Sequence, residues 1–172
     1  MLTLACGRSD DSDSAITRGR GLKPAELPPA SEARVFEAAI RAAFDVGPGL
    51  TLMLHPRRLP RTTGYDGGEK VPSDLETALR DRGIVQGTCE PVRDGARNTP
   101  HCNSPQAGYL VRGSDILRVS PDTVEIYFAA EKFGAAKGQR PEALRFEKIY
   151  QLVGGGTAWR VAREARSPEG GR

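Results

Sequence analysis

The chain has 172 residues, 25 basic and 22 acidic side chains for a formal net charge of +3, a hydrophobic share of 38%, and 20 Gly with 13 Pro. That length is enough for a self-supporting core, and the uneven spread of Gly and Pro points to one modest globular domain with long irregular flanks. Near-balanced charge and only 5 Phe, 4 Tyr and 1 Trp speak against a nucleic-acid binder, which needs a dense basic stripe with aromatic platforms. No apolar run reaches the roughly 18 residues of a membrane-crossing helix.

In chain order, Leu2-Thr3-Leu4-Ala5-Cys6-Gly7 is followed by the polar tract Arg8-Ser9-Asp10-Asp11-Ser12-Asp13-Ser14. An apolar run ending in a small residue before Cys, then a Ser/Asp tract, resembles the end of a bacterial lipoprotein signal peptide and its linker. Thr3 and Leu4 stand where Leu and a small residue are usual. The resemblance implies that Cys6 carries the lipid, that Ala5 precedes the cut, and that the partner is a membrane reached through that lipid. The plainer alternative is a short N-terminal segment with an incidental cysteine. Residues 9–29 are rich in Ser, Asp, Gly and Pro and suit a tether. The expected division is therefore a lead over 1–29, an α+β domain over 30–166 and a tail over 167–172.

Ser31 is placed to cap a helix over residues 32–44, where Val35, Phe36, Ala39, Ile40, Ala43 and Phe44 form a continuous apolar stripe. Gly47-Pro48-Gly49 stops it, and residues 50–54 read as a short strand. Arg57, Arg58 and Arg61 form the densest basic cluster. They are a candidate anion site for phosphate, a lipid headgroup or an acidic polymer, weighed against a solvated loop leaving a strand. Gly64, Gly67 and Gly68 mark a loop without P-loop spacing. Ser73-Asp74-Leu75-Glu76 is a capping box, predicting a short helix over 74–82 ended by Gly83, with Leu75, Ala78 and Leu79 buried. Ile84-Val85 could open a strand.

Residues 86–107 are polar, contain Pro91, Pro100 and Pro105, and read as a long loop holding Cys89 and Cys102. In an oxidising compartment the pair would close it with a disulfide worth about 3 kcal/mol in the chain-entropy model. In a reducing one they would be two thiols, or half of a metal site with His55 and His101. No C-x-x-C or H-x-x-x-H pair supports that site. His101-Cys102 sets a base beside a nucleophile, but adjacent residues rarely face each other.

The last third reads as an antiparallel meander. Val124, Ile126, Phe128 and Ala130 alternate with Thr123, Glu125, Tyr127 and Glu131, the period of a strand with one buried face. An earlier strand over about 109–119 carries Gly113 at a bulge or bend, and Ser120-Pro121-Asp122-Thr123 suits a type I turn. Strands over 144–153 and 159–165 flank Gly154-Gly155-Gly156-Thr157, a hairpin signal. Trp159 is expected to anchor the core under the helix. Glu125, Glu131 and Glu147 with Lys132, Arg145, Lys148 and Arg160 are expected to make cross-strand ion pairs.

With Tyr150-Gln151-Leu152, Gly154-Gly155-Gly156 and Trp159-Arg160-Val161, this arrangement resembles the helix-on-curved-sheet folds of the cystatin and nuclear-transport-factor-2 type. It also looks like a group of uncharacterised bacterial exported proteins with similar last strands. The resemblance implies an α+β fold with an N-terminal helix on a curved antiparallel meander. The leading reading is an exported, lipid-anchored, non-enzymatic binding or scaffold module of the cell envelope, facing the periplasm, with no cofactor, no metal and no nucleic acid. The alternative is a small-ligand protein or enzyme using a helix–sheet pocket lined by Tyr127, Tyr150 and Glu147. A plain intracellular domain with incidental cysteines is the third.

Overall fold

Two consecutive prolines, rather than the serine after them, start α1 (Pro29–Ala43). The Pro28 carbonyl accepts from the Ser31 and Glu32 amides at 2.9 and 3.0 Å. Pro29 takes the first helical position, where its fixed φ is ready-made and a missing N–H costs nothing. Ser31 therefore sits inside the helix instead of capping it, and its buried hydroxyl accepts from Trp159 Nε1 at 3.0 Å. The helix ends where Phe44 turns extended. Its stripe of Ala33, Val35, Phe36, Ala39 and Ile40 is buried, each large apolar side chain contributing about 1.5–3 kcal/mol.

The computed structural model describes residues 21–60, 68–93, 100–104, 106–134 and 145–166. Cys6 and its linker to residue 20, Arg61, the glycine loop 62–67, Leu144 and the tail 167–172 lie outside them.

α1 lies along an antiparallel meander of β6 (Gly108–Gly113), β7 (Leu117–Ser120), β8 (Thr123–Phe133), β9 (Arg145–Gly155) and β10 (Ala158–Arg166). β8 is the centre, pairing β9 on one side and β6 and β7 end to end on the other. The expected strand over 109–119 is thus broken beyond Gly113. Between the pairs Gly113↔Phe128 and Leu117↔Glu125 the outer strand advances one residue more than β8. Ser114 fills the gap: its amide donates to Tyr127 O at 2.8 Å and its hydroxyl accepts from Tyr127 N at 3.0 Å. A two-residue turn, Gly156-Thr157, joins β9 to β10, with Gly156 in the left-handed region at φ +57°.

The sheet is larger than this meander, and it is mixed. β2 (Leu52–Leu54) pairs parallel with β6 and with β3 (Gly87–Thr88), while β1 (Lys23–Pro24) pairs antiparallel with β7, giving an eight-stranded curled sheet. A wholly antiparallel sheet is thereby corrected. The connection from β2 to β3 runs through α2 (Ser73–Asp81), the crossover that parallel neighbours require. Pro72 takes the N-cap position instead of Ser73. At the other end, Gly83 N bonds Arg80 O at 2.8 Å and Ile84 N bonds Leu79 O at 3.0 Å, with Gly83 at φ +67°. This is the Schellman arrangement, and Leu79 and Ile84 are its buried apolar pair. The expected strand start at Ile84-Val85 is instead core, and pairing begins at Gly87. Within the polar segment that follows, β4 (Val92–Arg93) and β5 (Pro100–His101) form a separate small hairpin.

One face of the sheet carries the main core: Leu52, Leu54, Val111, Val124, Ile126, Phe128, Ala130, Tyr150 and Leu152 meet α1 and the Leu75 and Leu79 side of α2. α1 follows the β9–β10 hairpin, with Ser31 bonded to Trp159 near one end and the Phe44 ring 5.5 Å from Phe146 at the other. Phe36 seats over Gly113, where a Cβ would come 2.5 Å from the Phe36 ring. Gly113→Ala should therefore lower unfolding free energy by about 1–3 kcal/mol through overpacking. Gly155→Ala, which meets nothing within 4 Å, should change it by less than about 0.5 kcal/mol. Urea unfolding of the two variants beside the wild type checks the contrast.

Candidate functional site

The arginine cluster does not converge. Arg57 is exposed, whereas Arg58 turns inward and is 8% exposed. Arg58 Nη2 donates to Glu32 Oε1 at 2.5 Å, Nε lies 3.4 Å from Asp115 Oδ1, and Nη1 reaches Ser114 O at 3.5 Å. Its guanidinium is 6.0 Å from the Phe36 ring centroid, within cation–π range. Arg58 is thus committed to α1 and to the break between β6 and β7, while Arg61 lies outside the described residues. Arg112, not singled out by the sequence, braces the same turn by donating to Arg57 O at 2.8 Å and Arg58 O at 2.7 Å. The signal for it was an arginine in mid-strand, a position that usually holds an apolar or cross-strand-paired residue.

Tyr127, Tyr150 and Glu147 do not meet. The β8–β9 register pairs Ile126 with Tyr150, Tyr127 with Ile149 and Ala129 with Glu147. Strand alternation therefore puts Tyr127 and Glu147 on the sheet face away from α1 and Tyr150 on the face toward it. Tyr150 is fully buried, its ring 6.0 Å from Phe128 and 5.9 Å from Lys148 Nζ. Burial pushes its hydroxyl well above the usual phenol range, and the Glu164 carboxylate adds to the shift. Tyr150 is core.

On the face away from α1, Ala129 leaves a depression rimmed by His55, Arg112, Glu131 and Arg145, enclosing about 30 Å³. That holds one or two waters and is far below the roughly 300 Å³ of a small-molecule site. Its charges are compensated. Arg145 bonds Glu147, the register sets Glu131 opposite Arg145, and the His55 ring accepts from Arg57 N at 3.0 Å. Lys148 and Glu164 make a further cross-strand pair at 2.8 Å. Of the groups expected to pair, Lys148 finds a cross-strand carboxylate in Glu164 and Arg145 finds Glu147 two residues along its own strand, while Glu125 is buried and Arg160 is exposed.

Cys89 and Cys102 form a disulfide with Cα atoms 5.6 Å apart. The bridge covers a second, smaller core of Leu110 and Phe133 with Met53, on the sheet face away from α1. It removes the thiols that a metal site or a His101–Cys102 nucleophile would need, and among the described residues no three metal-ligating side chains converge. His101 is exposed.

β10 is the remaining surface. Among the described residues it pairs with β9 alone, and a bulge falls between Val161 and Arg163. Trp159 and Val161 are half-buried against the main core, while Arg160, Arg163 and Arg166 are exposed.

The disulfide generates one test of this geometry. Replacing Cys89 and Cys102 together by Ser should destabilise the chain by about 3 kcal/mol and raise binding of a hydrophobic dye as the cover over Leu110 and Phe133 loosens. Denaturant midpoints and dye fluorescence report both. Compared with family models, curated proteins and solved structures, the chain matches none.

Proposed function

We propose that this chain is an exported, lipid-anchored binding or scaffold module held at a cell envelope. The observation that carries the reading is the Cys89–Cys102 bridge, which joins the end of β3 to the end of β5. Disulfides of this kind form and persist in oxidising compartments, and this one staples a polar stretch across a small apolar cluster. The Ala5-Cys6 junction and the Ser/Asp tract behind it agree with the same compartment. A lipid on Cys6 would be the tether.

A binding role, rather than turnover in a cleft, is favoured by how the space between helix and sheet is used. Phe36, Ile40, Phe128 and Tyr150 fill it. The helix-on-curled-sheet arrangement fits the cystatin and nuclear-transport-factor-2 resemblance in outline. The parallel β2–β3 extension is an addition of this chain's own. The small-ligand reading loses its proposed lining, because Tyr150 and the pair Tyr127 and Glu147 occupy opposite faces.

Expression of the gene from its own genomic locus tests the proposal. Cells labelled with an alkyne palmitate should yield a labelled protein, the label should vanish in Cys6→Ser, and Cys89 and Cys102 should resist maleimide until reductant is added. An unlabelled protein whose two loop thiols alkylate in the cell would overturn it.

A further inference from the structure

The binding reading leaves open which surface binds and what it takes. We propose that the free edge of β10 captures an extended strand from a protein partner, one in which acidic and apolar residues alternate. The inference rests on the binding reading and gives it a surface and a partner chemistry.

β10 offers nine residues of backbone, bonded on one side only among the described residues. An added strand gains main-chain hydrogen bonds along such an edge, and its side chains fall alternately to the two faces. The two faces of this edge differ. Trp159 pairs with Gly154 and Val161 with Leu152, so both lie on the α1 side, where they are half-buried against the core. Arg160 pairs with Val153 and Arg163 with Gln151, which puts both guanidiniums on the opposite side. The bulge at Ala162 makes this possible. Without it, Arg163 would share a face with Trp159 and Val161; with it, both arginines line the same face. An incoming strand thus meets Trp159 and Val161 as an apolar border toward α1, continued past the bulge by Glu164 and Arg166, and the cationic border of Arg160 and Arg163 away from it.

Charge selects the occupant. Arg160, Arg163 and Arg166 are exposed and make no ion pair among the described residues, while Glu164 is held by Lys148 at 2.8 Å. Two copies of this edge brought together would set arginines against arginines, the arrangement by which edge strands avoid self-pairing. An acidic strand meets the same charges as complements. Alternation then supplies the rest of the pattern, apolar residues opposite Trp159 and Val161 and carboxylates opposite Arg160 and Arg163.

The test uses the full chain and a fluorescein-labelled peptide, Thr-Glu-Val-Glu-Val-Glu-Thr, followed by anisotropy and by backbone amide shifts. The peptide should saturate, its shifts should centre on β10, and binding should weaken as salt is raised. Arg160→Glu with Arg163→Glu should weaken binding by at least about ten-fold without moving the thermal midpoint. The same variant should gain affinity for the peptide with Lys in place of Glu, and Arg160→Lys with Arg163→Lys should retain the acidic one. A proline at the peptide's centre should abolish capture by removing a ladder donor. The proposal is overturned by shifts that map elsewhere, by no binding at about 1 mM peptide, by equal binding of the acidic and basic peptides, or by a β10-mediated dimer of the free chain. None of these outcomes touches the palmitate labelling of Cys6, so export and edge capture stand or fall separately.

Discussion

The guanidinium of Arg58 joins α1 to the break in the outer strand, beside the apolar contact that Phe36 makes over Gly113. It reaches Glu32 in the first turn of α1, Asp115 and the Ser114 carbonyl where β6 gives way to β7, and the Phe36 ring that seats over Gly113. Its energetic role is decided by magnitudes. An ion pair at about 4 Å gains about 4 kcal/mol at an effective dielectric of 20, and desolvating two ions costs several kcal/mol each. The pair therefore comes out near neutral against an apolar replacement, while leaving one partner alone would cost about 3–5 kcal/mol. Arg58 contributes position more than stability, holding the first turn of α1 beside the break in the outer strand.

From that constraint the rest of the surface follows. With α1 fixed over one face and the disulfide-closed segment over part of the other, the sheet's apolar residues are divided between two covers of unequal size. Among the described residues the longest strand edge left open is β10, because β8 and β9 are interior and β1 and β3 have two residues each. The same helix that fills the interior through Phe36 and Ile40 also shapes one border of the β10 edge, through Ser31 bonded to Trp159. Packing and a binding surface are in this way two consequences of one placement.

What could be read from the residues was mostly periodic. The stripe from Val35 to Phe44 announced α1, the alternation from Val124 to Ala130 announced β8, and the glycines before Thr157 announced the last hairpin. Features that depend on long-range pairing were hidden. Leu52–Leu54 looks the same whether it pairs parallel or antiparallel, so the crossover through α2 could not be seen. Ser31 looked like a cap because Ser is a good one; that Pro28 and Pro29 would start the helix earlier, freeing its hydroxyl for Trp159, involves a residue far along the chain. The candidate site suffered from the same limit. Whether Tyr127 and Tyr150 share a face is a question of parity, and the parity is set by the register of β9 on β8, not by either strand alone. Arg58 sat in a basic run that reads as solvated, and only the tertiary fold turns it toward Glu32. The direction in which Arg163 points depends on a bulge that local sequence does not mark.

The most direct measurement of the central claim is native-state hydrogen exchange on the wild type and on Arg58→Met, which keeps the side chain's bulk and removes its charge. If Arg58 couples the helix to the strand break, amides in α1 and at Ser114 should lose protection together, while those of the β8–β9 ladder keep theirs. Unchanged protection in α1, or a uniform fall across every strand, would contradict the account, since the helix would then be held by apolar contact alone.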